Sequence, residues 1–506
     1  MLWACLLLPR LPLDVFARAA PPGDDAAARP FAVTTGGHHP RVVGADAAAV
    51  AAGIVSGTLV SAALALAPAI LLRERDPDAE ARALAAVAAW ATQFAPGVSL
   101  APPDAVLVDI ADSLRLFGGL DALRAKLNDG ACALGYAVRL AIAPTATAAL
   151  LLARAGRSDT VMRTEALPAA LATLPLELTD ADPGILATLA AAGVTRFGAA
   201  AALPRAGLAR RGGGPLLATI DRALGVCADP RRQYLPPARY AGRLDLPAPV
   251  DATEALAFAV QRLVVELAGW LLGHGLGALE LALSLEHEHH LRRRLGTPTS
   301  RIRFALAAPA REVPHLLAVL RERLARVALP GPVEAIVLET TLCAPLAGRN
   351  RSLLPGDHDR ATVPLQDRLR ARLGDAAVTR VAPHAEHRPE RAWRGTDRTV
   401  PVDDAGQRTA GRRRTGRGGQ AAALAAPRPV WLLAEPQPLG ARLAAQPWAL
   451  RDGPERIESG WWDGGDVRRD YFVAETPAGE RVWLYRDGRH GFGAGDGEWF
   501  LHGVFA

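Results

Sequence analysis

Residues 103–110, Pro-Asp-Ala-Val-Leu-Val-Asp-Ile, constrain the fold of this chain more than any other stretch. The run is apolar and β-branched, and it carries one acid at its mouth, Asp104, and one inside it, Asp109. Such a pattern predicts a buried strand. A second apolar run over residues 2–8 predicts an N-terminal strand, and a long Ala-rich helical region separates the two.

Residues 1–165 alternate between strand and helix patterns. Helices are predicted over 79–93, 120–133 and 145–155, and further strands over 98–100 and 137–143. This order predicts an α+β domain with helices packed against a sheet.

The length and charge of the chain limit its class. Its 506 residues suffice for roughly three to five domains. The 58 basic and 52 acidic residues leave a net charge of +6, which favours a polyanionic partner such as nucleic acid or else reflects only a solvated surface. Cys5, Cys132, Cys227 and Cys343 form no CxxC pair, so neither a zinc ribbon nor a disulfide framework is indicated and a cytoplasmic location is predicted.

Two apolar stretches invite a membrane interpretation. The N-terminus lacks the basic region of a signal peptide, and Pro9 and Arg10 cut its apolar run short. The uncharged run over 47–72 is mostly Ala and is interrupted at Gly53 and Gly57, which predicts two short packed helices. We therefore predict no membrane span.

Residues 166–235 read as short helices, including 183–192 and 196–202 around a tight turn. A hairpin of this kind can offer backbone N–H groups to a phosphate, although it can equally belong to a plain helical bundle. The candidate DNA-binding residues are Gly193, Val194, Thr195, Arg196, Arg210 and Arg211.

Pro236-Pro237 and Pro247-Ala248-Pro249 bracket a linker, and residues 241–345 form a compact unit. Helices over 253–272 and 314–327 and strands over 279–286, 301–306 and 333–341 predict two helices on a four-stranded sheet. His287, His289 and His290 lack the spacing of a helical zinc site, so a solvated loop is predicted there.

The last part of the chain changes composition twice. Residues 346–428 read as an exposed tether, a short helix over 365–373 and an Arg- and Gly-rich linker that cannot bury a core. Residues 429–506 predict a small β module with strands over 471–474, 481–485 and 499–505. Its aromatic residues form either the core of the module or a protein-binding surface, for which the candidates are Trp461, Trp462, Tyr471 and Trp499.

Several of these segments together resemble the Y-family (DinB/UmuC-like) translesion DNA polymerases. Residues 51–59 look like part of the fingers, residues 109–119 like the palm strand and its exit, and Gly193-Val194-Thr195 like the thumb hairpin. The resemblance implies palm and fingers over 1–165 (fingers about 30–75), a helical thumb with a helix-hairpin-helix over 166–235 and an α/β little finger over 236–345.

The catalytic residues of that family are largely missing from this sequence. Template-directed polymerisation needs carboxylates that hold two divalent metals against the triphosphate. Asp104 matches the first acid of the family's Asp-Glu pair, Ala105 replaces the Glu, and no acid stands among the three leucines over 6–8. Ala47 and Val50 stand where the family has a phosphate-gripping Tyr and Arg, and Thr145-Ala146 replaces an Asn-Lys. We therefore expect no catalytic site, no bound metal and no cofactor.

This pattern of losses, with the aromatic tail, is similar to the ImuB branch of the family, the polymerase-like subunits of bacterial mutagenesis cassettes. That resemblance implies a non-catalytic, DNA-binding adaptor that links the sliding clamp, a RecA-like ImuA protein and an error-prone C-family DNA polymerase. The candidate clamp motif lies in the tether, which could also be an ordinary linker turn; its residues are Asn350, Ser352, Leu353 and Leu354.

Two alternatives stay open on sequence alone. One is an active, divergent translesion polymerase that uses Asp104, Asp109 and Asp14. The other is an assembly protein that works through its tail and no longer binds DNA.

Overall fold

The computed structural model describes residues 1–19, 29–288, 299–346, 359–396, 428–440, 448–488 and 498–505. The chain forms two compact units, Met1–Leu373 and Gly374–Ala506.

The first 155 residues hold a four-stranded sheet, a three-stranded sheet and six helices within the described ranges. Predicted helices over 79–93, 120–133 and 145–155 and predicted strands over 2–8, 98–100, 105–110 and 137–143 are all confirmed to within a few residues. The elements are β1 (Trp3–Leu7), α1 (Leu11–Ala17), β2 (Phe31–Thr34), β3 (Val42–Ala45), α2 (Ala47–Ala51), α3 (Val60–Leu66), β4 (Leu71–Glu74), α4 (Pro77–Ala91), β5 (Val98–Ala101), β6 (Ala105–Asp109), α5 (Leu120–Ala133), β7 (Arg139–Ala143) and α6 (Ala146–Arg154).

The larger sheet has the order β5-β6-β1-β7 and is antiparallel throughout. Successive side chains of a strand point to opposite faces. Val106 and Val108 accordingly join the core under α4 and α5, whereas Ala105 and Leu107 join the core under α6. Both faces of the sheet are thus covered, which explains the continuous apolar run and confirms the predicted α+β class.

Short helices follow in residues 167–224 and extend the second of these cores. Phe197 and Ile220 are buried there together with Leu152 of α6. The helices predicted over 183–192 and 196–202 are confirmed to within a few residues. The elements are α7 (Leu167–Leu171), α8 (Pro183–Ala191), α9 (Phe197–Ala201), α10 (Arg205–Leu208) and α11 (Gly214–Leu224).

A second four-stranded antiparallel sheet, with the order β10-β9-β11-β8, completes the first unit. The prediction of two helices on a four-stranded sheet is confirmed, with a third helix added. The elements are β8 (Ala241–Val250), α12 (Thr253–Gly273), β9 (Leu276–His287), β10 (Thr299–Ala310), α13 (Val313–Leu324), β11 (Val333–Pro345) and α14 (Asp359–Leu373).

One sequence prediction in this region is wrong, and another is confirmed with a longer element than predicted. The proline-bracketed linker is largely strand β8, because β8 lies at the edge of the sheet and its register shifts where Pro247 and Pro249 stand, so their missing N–H groups break no ladder. The predicted short helix over 365–373 is the end of the longer α14, which packs against α13 and β10 as part of the first unit.

The regions of the two four-stranded sheets are joined by a tight contact between α4 and α12. The Trp90 ring lies between two glycines: a Cβ placed on Gly130 would lie 2.2 Å from one ring carbon, and a Cβ on Gly269 would lie 2.3 Å from another. Beside this contact, the buried Arg18 guanidinium lies 3.6 Å from the buried Glu266 carboxylate. Only glycine at 130 and 269 allows this approach.

Helix α12 is the one helix in the described ranges that is long and apolar enough to cross a membrane. Ten of its residues, including Leu263, Val264 and Trp270, are buried within the protein. The run over 47–72 forms the short helices α2 and α3, as predicted.

The second unit is a five-stranded antiparallel sheet with the order β14-β18-β17-β16-β15, beside a two-stranded ribbon. The predicted strands over 471–474, 481–485 and 499–505 are confirmed, whereas β14 and β15 were not foreseen. The elements are β12 (Arg380–Pro383), β13 (Trp393–Thr396), β14 (Trp431–Pro438), β15 (Ala449–Ser459), β16 (Val467–Glu475), β17 (Arg481–Asp487) and β18 (Trp499–Val504).

Candidate functional site

The candidate site is the end of the central sheet where β6 begins. The Leu8 N–H donates to the Asp104 carbonyl at 2.8 Å, so the ends of β1 and β6 lie side by side. Ala105 pairs with Leu7, and Leu6, Leu7, Leu8 and Ala105 are all buried. The strand ends that would have to present carboxylates to a metal therefore present methyl and isobutyl groups.

Asp104 and Asp109 lie at opposite ends of β6. Asp104 neighbours Leu8, whereas Asp109 pairs with Trp3 at the far end of β1. Five residue steps along a strand separate the two Cα atoms by about 17 Å. The Asp109 Oδ1 accepts from the Ala111 N–H at 3.3 Å and so caps the turn after the strand. Two metals in a phosphoryl-transfer site lie only about 4 Å apart, so these acids cannot share one.

Asp14 is occupied elsewhere. It is buried in α1, where its Oδ2 accepts from the Ala137 N–H at 3.0 Å and its Oδ1 lies 3.7 Å from the Arg10 guanidinium. Burial is the main reason that its pKa lies above the usual value. Asp14 thus holds the entry to β7.

Asp104 lines a shallow cleft together with Arg10, Arg75 and Glu80. Burial raises the pKa of Asp104, and the Arg154 charge offsets this in part. Among the described residues, no donor lies within hydrogen-bond distance of the buried Asp104 Oδ1. Arg75 binds the buried Glu80 through two hydrogen bonds of 2.7 Å, so its charge is neutralised inside the cleft.

The Thr145-Ala146 segment ties the sheet to the short helices. The Thr145 hydroxyl accepts from the Ala148 N–H at 3.2 Å, which caps α6, and donates to the Ala223 carbonyl of α11 at 2.9 Å. Ala146 is fully buried. Thr145 and Ala146, which the resemblance matches to the family's Asn-Lys, thus serve internal packing in this chain.

A polar cluster that the sequence did not suggest lies next to this segment. The Asp229 Oδ2 accepts from the Thr147 N–H at 2.7 Å and from the Thr147 hydroxyl at 2.9 Å. Arg231 completes the cluster with an ion pair to Asp229 at 2.9 Å. Thr147 is 82 positions from Asp229 and 84 from Arg231 along the chain, so no local pattern could have indicated this cluster.

No group of three or more His, Cys, Asp or Glu side chains with metal-binding geometry occurs among the described residues. The predicted solvated loop is wrong at His287, which is buried at the end of β9, where its Nε2 lies 2.8 Å from the Ser300 Oγ. His289 and His290 lie outside the described residues.

The hairpin and arginine residues predicted to bind DNA lie around α8. Gly193 adopts φ +78°, and the Val194 N–H donates to the Leu189 carbonyl at 2.8 Å, which closes the turn between α8 and α9. Gly193, Thr195, Arg196, Arg210 and Arg211 are exposed, and Val194 is half-buried. Arg210 and Arg211 lie in the turn over 209–213, which packs against the first turn of α8. The two groups therefore flank opposite ends of one helix, about 12 Å apart.

The four aromatic candidates of the second unit divide into two pairs. Tyr471 is buried, stacks on Trp483 at 3.9 Å and bonds the His502 Nδ1 through its hydroxyl at 2.9 Å. Trp499 is half-buried against Phe472. The idea that Tyr471 belongs to an exposed aromatic surface is therefore wrong; it is a core residue.

Trp461 and Trp462 are 78% and 57% exposed and contact each other edge to face at 5.5 Å. The loop that carries them is held from below by the buried Arg388, which donates to both Asp463 oxygens at 3.0 and 2.6 Å and to the Gly465 carbonyl. A pair of exposed indoles on a fixed loop can bind a partner with little loss of side-chain entropy.

The clamp-motif residues Asn350, Ser352, Leu353 and Leu354 lie outside the described residues, as does the Arg-rich linker over 397–427.

Comparison with known proteins gives matches at three levels. A model of the IMS (impB/mucB/samB) family matches residues 15–154. Protein ImuB from two strains of Caulobacter vibrioides, NA1000 / CB15N and ATCC 19089 / CIP 103742 / CB 15, is 30% identical over 479 residues, which cover 90% of this chain and 100% of the relative.

Among solved structures, DinB from Sulfolobus solfataricus is similar at 14% identity with a TM-score of 0.38. An insertion ternary complex of Dbh DNA polymerase is similar at 13% identity with a TM-score of 0.39. Each match covers 67% of this chain and 98% of the solved one.

Proposed function

This chain belongs to the ImuB family, and we propose that it is a non-catalytic DNA-binding adaptor of translesion synthesis. It carries a Y-family polymerase-like core with an added C-terminal β module and is associated with mutagenesis. In this proposal it links the sliding clamp, an ImuA-like protein and an error-prone C-family polymerase in the cytoplasm.

The placement of the acids supports the absence of catalysis. Asp104 and Asp109 lie at opposite ends of β6, and Asp14 is bound to the backbone of residue 137. A divalent metal that is held by so few oxygens binds weakly and stabilises little of the charge that develops in phosphoryl transfer.

The exposed basic residues around α8 support DNA binding. Arg196 at one end of α8 and Arg210 and Arg211 at the other, about 12 Å away, can contact different phosphates of the same DNA. Binding of this kind weakens steeply as the salt concentration rises. Absence of DNA binding at low salt, with retained protein partners, would favour the assembly protein that acts through its tail.

Primer extension by the purified full chain tests the proposal. With Mg²⁺ or Mn²⁺ and all four nucleotides we expect no extension, and the Asp104→Ala variant serves as the control for contaminating polymerase. Extension that this substitution abolishes would show an active divergent polymerase and would overturn the proposal.

The clamp motif has its own test. Leu353→Ala with Leu354→Ala removes the apolar groups that would fill the clamp pocket, so we expect clamp affinity to fall by roughly tenfold or more. Binding of the full chain to an immobilised sliding clamp measures this change. Equal affinity of wild type and variant would remove the motif from the proposal.

A further inference from the structure

Helix α14 carries its apolar side chains on the outside. Leu365, Leu369 and Leu373 are spaced by four residues and so share one face, and they are 55%, 38% and 56% exposed. On the same helix Asp367, Arg370 and Ala371 are buried. A surface helix normally does the reverse, with its apolar stripe toward the core and its charges toward solvent.

The buried polar face explains how the helix is held without its leucines. The Asp367 Oδ1 accepts from the Ala307 N–H of β10 at 2.7 Å, and its Oδ2 lies 3.0 Å from the His315 Nε2 of α13. Because β10 is an edge strand, this carboxylate satisfies a backbone donor that the sheet leaves open. Turning the leucines inward would remove Asp367 from both partners.

Two arginines border the leucine stripe. Arg372 is exposed, and Arg368 is exposed with its guanidinium 3.7 Å from Glu322 of α13. Two copies of the chain that met through this stripe would bring these cations together, which opposes self-association. An occupant with acidic residues beside its apolar ones complements both features.

We propose that the outer face of α14, formed by Leu365, Arg368, Leu369, Arg372 and Leu373, binds an amphipathic helix of a partner protein whose apolar stripe is flanked by acidic residues. The inference rests on the proposed adaptor role for its biological purpose. It adds a docking surface distinct from the clamp motif and from the Trp461–Trp462 pair.

Two synthetic helical peptides test the proposal against the full chain. Both carry Leu at every fourth position; one has Glu and the other Lys beside the leucines. We expect the Glu peptide to bind, measured by fluorescence anisotropy, and the Lys peptide to bind at least roughly tenfold more weakly. Leu365→Ser with Leu369→Ser should reduce binding of the Glu peptide by roughly tenfold.

Leu116→Ser is the matched control, because Leu116 is an exposed leucine just before α5, whereas α14 packs on α13 and β10, and the substitution should leave binding unchanged. Arg368→Glu with Arg372→Glu should reverse the preference between the two peptides. Three outcomes would overturn the proposal. The wild type binds neither peptide, the leucine variant binds the Glu peptide as tightly as the wild type does, or the wild type forms a dimer in ultracentrifugation that the leucine variant loses. Primer extension by the wild type would overturn the proposed function and leave this site untouched.

Discussion

At the scale of single residues, Asp104 is the acid that the sequence resemblance matches to the first carboxylate of the polymerase Asp-Glu pair. Its identity could be predicted to matter from the sequence, and so could the loss of its neighbour at Ala105. Its environment could not, because the burial of one carboxylate oxygen depends on α1 and on the cleft beside Arg75. The exposure of Trp461 and the burial of Tyr471 could not be predicted from the sequence either, because both lie in an aromatic-rich segment. Only the fold shows that Trp461 is in the turn after β15 and that Tyr471 in β16 faces the core.

Asp104→Asn is expected to stabilise the protein by about 1 kcal/mol at pH 7, because it removes a charge whose buried oxygen has no donor. Burial raises the pKa of Asp104 in the folded state, so the ionised form destabilises the fold above that pKa. The gain should fade as the pH falls below about 4, where the carboxyl is protonated in both states. Urea unfolding of wild type and variant at pH 7 and pH 3.5 measures this difference in unfolding free energy. A variant that is less stable than the wild type at pH 7 would contradict the prediction.

At the scale of elements, periodicity predicted most helices and strands of the first unit because both faces of its central sheet are covered by amphipathic or apolar helices. Strand β8 was not predicted because its prolines indicated a linker, although a strand at a sheet edge tolerates them. The orientation of α14 was not predicted because the Asp367 carboxylate binds β10 and turns the leucines outward, opposite to what the hydrophobic pattern indicates.

The contact of α4 with α12 gives a sharp prediction. In Gly269→Ala the new methyl group meets the buried Trp90 ring, and the expected loss is about 1–3 kcal/mol of unfolding free energy. Gly214→Ala is the matched control, since helical Gly214 has open space around it and Ala there should be neutral or slightly stabilising. Thermal unfolding of both variants checks this. Equal midpoints would mean that α12 moves away from Trp90 without cost.

At the scale of the whole molecule, the chain forms two compact units that meet at residues 373 and 374, whereas the sequence predicted domain bounds at 165, 235, 345 and 428. Composition predicted a separate β module at the end of the chain, and this is confirmed, because each unit encloses its own apolar cores. The attachment of α14 to α13 and β10 has no signal in the hydrophobic pattern, because the buried face of this helix carries Asp367 and Arg370.

The second unit should lose stability in acid. Burial lowers the pKa of His502 to about 4, so the folded unit binds its proton more weakly than the unfolded chain does. The contribution of neutral His502 to the unfolding free energy is then fully present above about pH 6.5. It is lost as the pH drops toward 4, by up to a few kcal/mol. His502→Gln should flatten this dependence. Hydrogen exchange of the backbone amides of β15 to β18 in urea at pH 7 and pH 5 follows the second unit separately from the first; parallel losses in wild type and variant would refute the role of His502.

The buried Arg18–Glu266 pair restricts how this sequence can diverge. Replacing either partner alone strands a charge in the interior, at about 3–5 kcal/mol, whereas replacing both with apolar residues of similar volume is often harmless. The two acceptable states are thus separated by intermediates that fold poorly. Positions 18 and 266 should therefore coevolve, so a relative that lacks one of the two charges should also lack the other.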